Sequence, residues 1–200
     1  MAVLLTLALA TIQTFAADPT ATVPPALIDA LRAGKHVIVM RHAASPTDLP
    51  DSAAANADNP ARERQLSKTG RAEAEAMGAA LKRLGIPVTR VLSSPTYRAR
   101  ETVKYLAVGE PEIDPLLGDG STNMSGVGDA EGAWLRGLAH QAPAIGNTLI
   151  VTHLPNLRAA FGADAAATAE GESLIMSFSA DGHAFVEARV AMTQWQSLLR

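Results

Sequence analysis

The sequence predicts an α/β protein, specifically a three-layer α/β/α sandwich around a mostly parallel sheet. Short apolar segments of strand length alternate along the chain with helical segments, as in βαβ units. The apolar runs at 36–40 and 148–152 are continuous, which is typical of strands that are buried on both faces. The chain then has two alternating segments joined by Asp181-Gly182, and this pattern predicts a β-hairpin after the parallel strands.

The predicted elements are bounded by ordinary start and stop signals. Proline at 24 and 25 opens the first helix, Ser67 is a suitable N-cap for the second, and Gly85 ends it. The segments 43–65 and 113–128 are polar or glycine-rich and predict long loops, which in compact domains often bind ligands. Helices are predicted at 26–32, from Ser67 to about 84, 95–106, 130–140 and 155–161, and strands at 36–40, 88–92, 148–152, 173–179 and 184–191.

Composition excludes several classes of protein. The chain has 200 residues, of which 48% are hydrophobic, so it can form a substantial core and is not of the disordered type. Its net charge of -3 provides no basic field, and we therefore expect no nucleic-acid partner. The sequence has no cysteine, which excludes disulfides, thiolate metal sites and cysteine nucleophiles.

The N-terminal segment resembles an export signal. Residues 2–15 are apolar and uncharged, too short to span a membrane but of the right length for the core of a signal peptide. Small residues at 16 and 17 would suit cleavage. We predict a signal peptide over 1–17, a mature domain over 18–200, no membrane span, and a periplasmic or secreted location. No Lys or Arg precedes the apolar run, and a buried N-terminal helix is the alternative.

Polar residues follow three of the predicted strands. Arg41 and His42 follow the first strand, Arg98 lies at the start of the helix after the second, and His153 follows the third. Because ligands of open α/β sheets bind beyond the carboxyl ends of the strands, these side chains converge if the strands are parallel neighbours. Two guanidinium groups, two imidazoles and a helix N-terminus suit a phosphoryl group.

These blocks resemble the histidine phosphatase superfamily, which has the phosphoglycerate-mutase-like fold. The resemblance spans residues 36 to about 190 and is strongest to small exported bacterial histidine phosphatases. The start of the second helix, Leu66-Ser67 followed by Gly70-Arg71, is also typical of the family. The matching blocks are Val39-Met40-Arg41-His42-Ala43, Ser93-Ser94-Pro95-Thr96-Tyr97-Arg98-Ala99-Arg100-Glu101-Thr102 and Val151-Thr152-His153.

The resemblance implies a role for each of these residues. His42 would be the nucleophile that forms a phosphohistidine, while Arg41, Arg98 and His153 would bind the phosphoryl oxygens. No metal and no cofactor would take part. The family supplies a proton donor from the loop after the second strand–helix unit, and we expect Asp119 in that role. The other carboxylates of this loop, which stay open as alternatives, are Glu110, Glu112 and Asp114.

Other interpretations of these residues are possible. A metal site formed by His42, His153 and Asp119 is disfavoured because no short His spacing is present. Ala43 and Leu154 stand where the family, or its mutases, carry glycine, which favours a phosphatase over a phosphomutase. The remaining alternative is a pseudoenzyme that only binds anions.

The sequence leaves the substrate open. A phosphorylated small molecule, an envelope glycan or a phosphopeptide would all suit the predicted site. Arg64 could reach substrate or form a surface ion pair. The histidines without motif support are expected to be structural or on the surface, and these are His36, His140 and His183.

Overall fold

The computed structural model of the protein describes residues 23–46, 63–120 and 126–198. These residues form one six-stranded sheet with helices on both faces. The strands are β1 (Val37–Arg41), β2 (Val88–Ser93), β3 (Glu112–Ile113), β4 (Asn147–Thr152), β5 (Ser173–Phe178) and β6 (Ala184–Val190). The helices are α1 (Pro25–Ala33), α2 (Lys68–Arg83), α3 (Tyr97–Leu106), α4 (Asp129–Ala139), α5 (Leu154–Phe161) and α6 (Gln194–Ser197).

The strand order, β3-β2-β4-β1-β5-β6, confirms the mostly parallel sheet. Strands β1, β2, β3 and β4 run parallel, β5 is antiparallel to β1, and β6 is antiparallel to β5 and so runs in the direction of the first four. In the register of the three central strands, Arg41 lies opposite Thr152 and Ser93 lies opposite Val151. The carboxyl ends of β1, β4 and β2 therefore lie side by side, as the sequence predicts.

Apolar residues of the central strands pack alternately into two cores. Ile38 and Met40 of β1 face a core formed with α1, α2, α3 and α6. Val37 and Val39 face a second core formed with α4 and α5. Both faces of the sheet are thus covered by helices, which confirms the three-layer sandwich and explains the continuous apolar run of β1.

Close backbone contacts fix the segment that follows β1. The hydroxyl of Ser67 accepts a hydrogen bond from the Gly70 N–H (2.9 Å), which confirms Ser67 as the N-cap of α2. A Cβ atom at Gly70 would lie 2.3 Å from the Ala44 carbonyl oxygen. Only glycine therefore allows the start of α2 to approach the chain two residues beyond His42.

Three short elements differ from the prediction. The segment 113–128, predicted as loop, overlaps the two-residue strand β3 and contains a 3-10 turn, Pro115–Leu117. The four-residue helix α6 was not predicted. Elements of this length contain too few residues to show a period of 2 or 3.6. The proposed signal peptide and most of the loop predicted at 43–65 lie outside the described residues. Within the described ranges, no helix has the length and apolar character to cross a membrane.

Candidate active site

The structure brings the two histidines together at the carboxyl edge of β1 and β4. His42 directly follows β1, and His153 lies between β4 and α5. Their ring centroids are 5.2 Å apart, and the rings are tilted by 57°. Both side chains belong to residues that are almost completely buried, with 2% exposure for His42 and 1% for His153. The predicted convergence of these two residues is therefore confirmed.

His42 is arranged as a neutral imidazole with a defined tautomer. Its Nδ1–H donates to the Ala43 carbonyl oxygen at 2.8 Å, which leaves the lone pair on Nε2. Burial lowers the pKa of His42 well below its usual value, and the neighbouring His153 and Arg98 lower that pKa further. A neutral ring with a lone pair on Nε2 is the nucleophilic form of histidine.

His153 is held by two hydroxyl groups. Its Nε2 lies 2.8 Å from Ser94 Oγ and 3.2 Å from Thr96 Oγ1. Its Nδ1 is buried without a hydrogen-bond partner and lies 3.7 Å from Asp119 Oδ2. Burial lowers the pKa of His153 to about 3, although Asp119 opposes the shift. When a hydroxyl donates to Nε2, the ring proton is on Nδ1 and can be donated to an oxyanion beside Asp119.

Arg98 connects the histidines to the predicted proton donor. It is the second residue of α3, it is only 1% exposed, and its guanidinium forms an ion pair with Asp119. The loop that carries Asp119 is fixed from two sides. Thr152 Oγ1 donates to the Leu117 carbonyl oxygen, and Asn156 Nδ2 donates to that of Gly118, both at 2.8 Å. The end of β4 and the first turn of α5 thus position this carboxylate.

Arg41 is bound by the carboxylate of Glu170, a residue that the sequence analysis did not identify. Its terminal nitrogens donate to the Thr168 carbonyl oxygen and to Glu170 Oε1, each at 3.1 Å. Arg64 also contacts Glu170 Oε1, at 3.4 Å, so the ion pair foreseen as one alternative for Arg64 is present. The second oxygen of Glu170 accepts from the Ser45 N–H at 3.0 Å. Glu170 has no motif around it, and only the folded chain shows its position.

The N-terminus of α3 is occupied by a carboxylate of the chain itself. Sequence reasoning assigns the backbone N–H groups at this helix start to the phosphoryl group. In the structure the Tyr97 N–H donates instead to Glu63, a residue that is 4% exposed. The Glu63 carboxylate therefore already accepts one of the hydrogen bonds that this helix start could give to an anion. We expect a ligand to contact Arg98 rather than the Tyr97 N–H.

Thr102 ties the segment after the first histidine to α3. Its Oγ1 accepts from the Ala43 N–H at 3.0 Å and donates to the Arg98 carbonyl oxygen at 2.8 Å. Thr102 belongs to the second motif block of the sequence, but the sequence does not predict its hydrogen bond with Ala43. The histidines without motif support lie outside the site. His36 bonds to the Gly34 carbonyl oxygen, and the side chain of His183 is 85% exposed.

A six-stranded α/β/α sandwich with paired histidines and arginines at the carboxyl edge of its parallel strands defines a phosphoglycerate-mutase-like protein. The chain is similar in sequence to the histidine phosphatase superfamily. The sequence model of the histidine phosphatase superfamily (branch 1) matches residues 37–131, which include Arg41, His42, Arg98 and Asp119. Within the described residues, no three His, Asp or Glu side chains are grouped so that they could hold a metal ion.

Solved structures support the same fold at low sequence identity. The protein histidine phosphatase SixA complexed with tungstate has a TM-score of 0.58 and 20% identity, over 79% of this chain and 97% of that chain. A mutant of phosphoserine phosphatase from Entamoeba histolytica in complex with phosphoserine has a TM-score of 0.57 and 13% identity, over 80% and 98%. The product of the open reading frame Rv3214 from Mycobacterium tuberculosis has a TM-score of 0.56 and 19% identity, over 78% and 97%. No curated protein matches the chain.

Proposed function

We propose that the protein is a phosphomonoester hydrolase that acts through a phosphohistidine on His42. The observation that carries this proposal is the pairing of a buried, neutral His42 with a second buried histidine, 5.2 Å away between ring centroids, beside Arg98. The match of residues 37–131 to the histidine phosphatase superfamily supports it. The structural neighbours include a protein histidine phosphatase and a phosphoserine phosphatase, which makes phosphate esters and phosphoramidates suitable substrates to try.

The first chemical step is attack of His42 Nε2 on phosphorus. The bond between phosphorus and the leaving-group oxygen breaks, and that oxygen takes a proton from the carboxyl group of Asp119. A dianionic phosphoryl group beside Asp119 favours its protonated form. Arg41, Arg98 and the Nδ1–H of His153 stabilise the charge on the transferring group.

The second step is hydrolysis of the phosphohistidine. The Asp119 carboxylate accepts a proton from water, whose oxygen attacks phosphorus, and the bond from phosphorus to His42 Nε2 breaks. The products are inorganic phosphate and a neutral His42, so the cycle closes without a metal or redox cofactor. An acceptor alcohol in place of water would give a phosphomutase or transferase by the same steps.

The nucleophile is tested with His42→Ala. We expect turnover of a panel of phosphate esters to fall to the background rate, because alanine has no lone pair for attack. Acid-labile, alkali-stable phosphate should be trapped on the wild type and not on the variant. His183→Ala is the matched control, since this exposed histidine lies outside the site. Full activity in His42→Ala would refute the assignment, and ester binding without any turnover in the wild type would indicate a pseudoenzyme.

We also propose that the protein is exported, on the strength of the apolar run at 2–15 and the small residues after it. Export would give the enzyme access to periplasmic or extracellular phosphate esters, including phosphorylated glycans. N-terminal sequencing of protein from its native host should show a start near Ala17 or Asp18. An uncleaved N-terminus would contradict this proposal.

A further inference from the structure

A small cavity lies beside the proposed proton donor. It has a volume of about 150 Å³, and its wall includes Asp119, Thr96, Glu131 and the rings of Pro95 and Pro115. The remaining wall is glycine backbone. None of the described residues that line it is a Lys, Arg or His. The cavity is thus small, partly apolar and bordered by two carboxylates.

The cavity shares two wall residues, Thr96 and Asp119, with the surroundings of the proposed phosphoryl site. Thr96 Oγ1, in its wall, lies 3.2 Å from His153 Nε2, and Asp119, also in its wall, pairs with Arg98. The His153 Nδ1 is buried, has no hydrogen-bond partner and faces Asp119 Oδ2 at 3.7 Å. A buried donor of this kind indicates that a ligand atom belongs at this point. If Asp119 protonates the leaving-group oxygen, the leaving group lies against this wall.

The electrostatic character of this wall is acidic. Residues 105–135 contain six carboxylates and no Lys, Arg or His. Two of these carboxylates are neutralised, because Asp119 pairs with Arg98 and Glu112 pairs with Arg90. Glu131 accepts the Gly128 N–H at 3.0 Å, and no ion pair among the described residues includes it.

We propose that this cavity is the leaving-group subsite and that it selects phosphomonoesters of small amino alcohols, whose ammonium group is attracted by Glu131. The proposal rests on the proposed phosphatase function and names its substrate class. An anionic leaving group, such as a hydroxy acid or a second phosphate, is disfavoured because its charge faces the unpaired carboxylate of Glu131. The same feature disfavours phosphoglycerate chemistry, since the wall has no cation to bind a carboxylate.

Three phosphate esters with leaving groups of similar size but different charge separate the effect of charge from the effect of shape. They are 2-aminoethyl phosphate, n-propyl phosphate and phosphoglycolate, with cationic, neutral and anionic leaving groups. We expect kcat/KM to decrease in that order, with a difference on the order of tenfold or more between the first and the last at low ionic strength. At 0.5 M salt the order should be compressed, because ions screen the partly exposed carboxylate.

Glu131→Gln tests the residue that carries the charge. Glutamine keeps an acceptor for the Gly128 N–H, so the start of α4 is preserved. The preference for 2-aminoethyl over n-propyl phosphate should fall severalfold, because the ammonium group loses its attraction to the carboxylate. Glu75→Gln is the matched control, because it removes an equal charge from an exposed carboxylate of α2, outside the cavity, and should leave the preference unchanged.

Binding of the same esters to His42→Ala gives the charge order without turnover. Affinities measured by calorimetry should follow the same order and respond in the same way to Glu131→Gln. A preference for phosphoglycolate, an order independent of charge, or a preference that survives Glu131→Gln would overturn the inference. If none of the esters is hydrolysed but their affinities keep the charge order, the phosphatase proposal fails and the subsite assignment stands.

Discussion

The two buried histidines differ in which ring nitrogen is available to a ligand. His42 uses Nδ1 to donate to a backbone carbonyl and presents Nε2. His153 has Nε2 next to two hydroxyls and presents Nδ1 toward Asp119. Burial lowers the pKa of both rings, so both are neutral at pH 7. One neutral ring can therefore act as the nucleophile while the other donates a hydrogen bond, which two charged rings could not do.

Arg98 is the residue whose shape matters most after His42. It must hold Asp119 and a phosphoryl oxygen together, which a planar guanidinium with several donors can do and a lysine ammonium cannot. We expect Arg98→Lys to reduce kcat/KM by about 100-fold or more. Arg100→Lys, at an exposed position two residues further along α3, is the control and should retain full activity. Near-normal kinetics in a folded Arg98→Lys would contradict the assignment.

At the scale of elements, the segment before β5 determines how Arg41 is presented. The Gly171 N–H donates to the His42 carbonyl oxygen at 2.8 Å, and Glu172 forms a bidentate ion pair with Arg189 of β6, at 2.7 and 2.9 Å. These contacts hold Glu170 against Arg41 and Arg64. With both terminal nitrogens engaged by this segment, the Arg41 side chain has little freedom to turn away from the site.

Glu170→Ala tests whether this segment acts through Arg41. Loss of the carboxylate frees one terminal nitrogen of Arg41, and we expect kcat/KM to fall by roughly tenfold, as for loss of one charge-assisted hydrogen bond. Glu170→Gln, which keeps an acceptor, should retain most of the activity. In an Arg41→Ala background the Glu170→Ala change should have no further effect. An equal loss in both backgrounds would assign Glu170 to folding alone.

In the proposed mechanism, the loop between β3 and α4 supplies the acid through Asp119, and the effect of losing it should depend on the leaving group. An alkyl phosphate must expel an alkoxide and needs a proton, whereas nitrophenolate leaves with little help. Asp119→Asn should therefore slow alkyl ester hydrolysis by about 100-fold or more and affect an activated aryl ester much less. Equal losses on both esters would assign Asp119 to binding, and no loss would transfer the role to Asp114 or Glu112.

At the scale of the whole molecule, burial of two neutral histidines makes stability dependent on pH. The pKa of each ring is lowered in the folded state, so below pH 6.5 the unfolded chain binds more protons than the folded chain. Their contribution is fully present above pH 6.5 and is lost as pH falls below it, by about 1.4 kcal/mol per pH unit for each ring. Denaturant unfolding at pH 7 and pH 5 measures this slope. His42→Gln should reduce the slope, and an unchanged slope would show that His42 is not responsible.

Prediction from sequence succeeded for residues that lie directly after the carboxyl ends of strands. The mostly parallel sheet, the convergence of His42 and His153, and the N-cap at Ser67 follow from local patterns and the geometry of parallel sheets, whereas the order of the strands was not predicted. It failed where a contact joins segments far apart in the chain. Glu170 on Arg41 and Glu63 at the start of α3 are pairings that no local pattern encodes.

The site's residues belong to β1, α3 and the segment after β4, and these segments meet only when the sheet has formed. An anion that contacts all three binds the folded chain and is released on unfolding. At 100 times its dissociation constant it would add about 2.7 kcal/mol to the free energy of unfolding. If the protein is an exported phosphatase, as proposed, its folded state would thus be most favoured where phosphate is plentiful. Its resistance to proteolysis would then increase with the concentration of its own product.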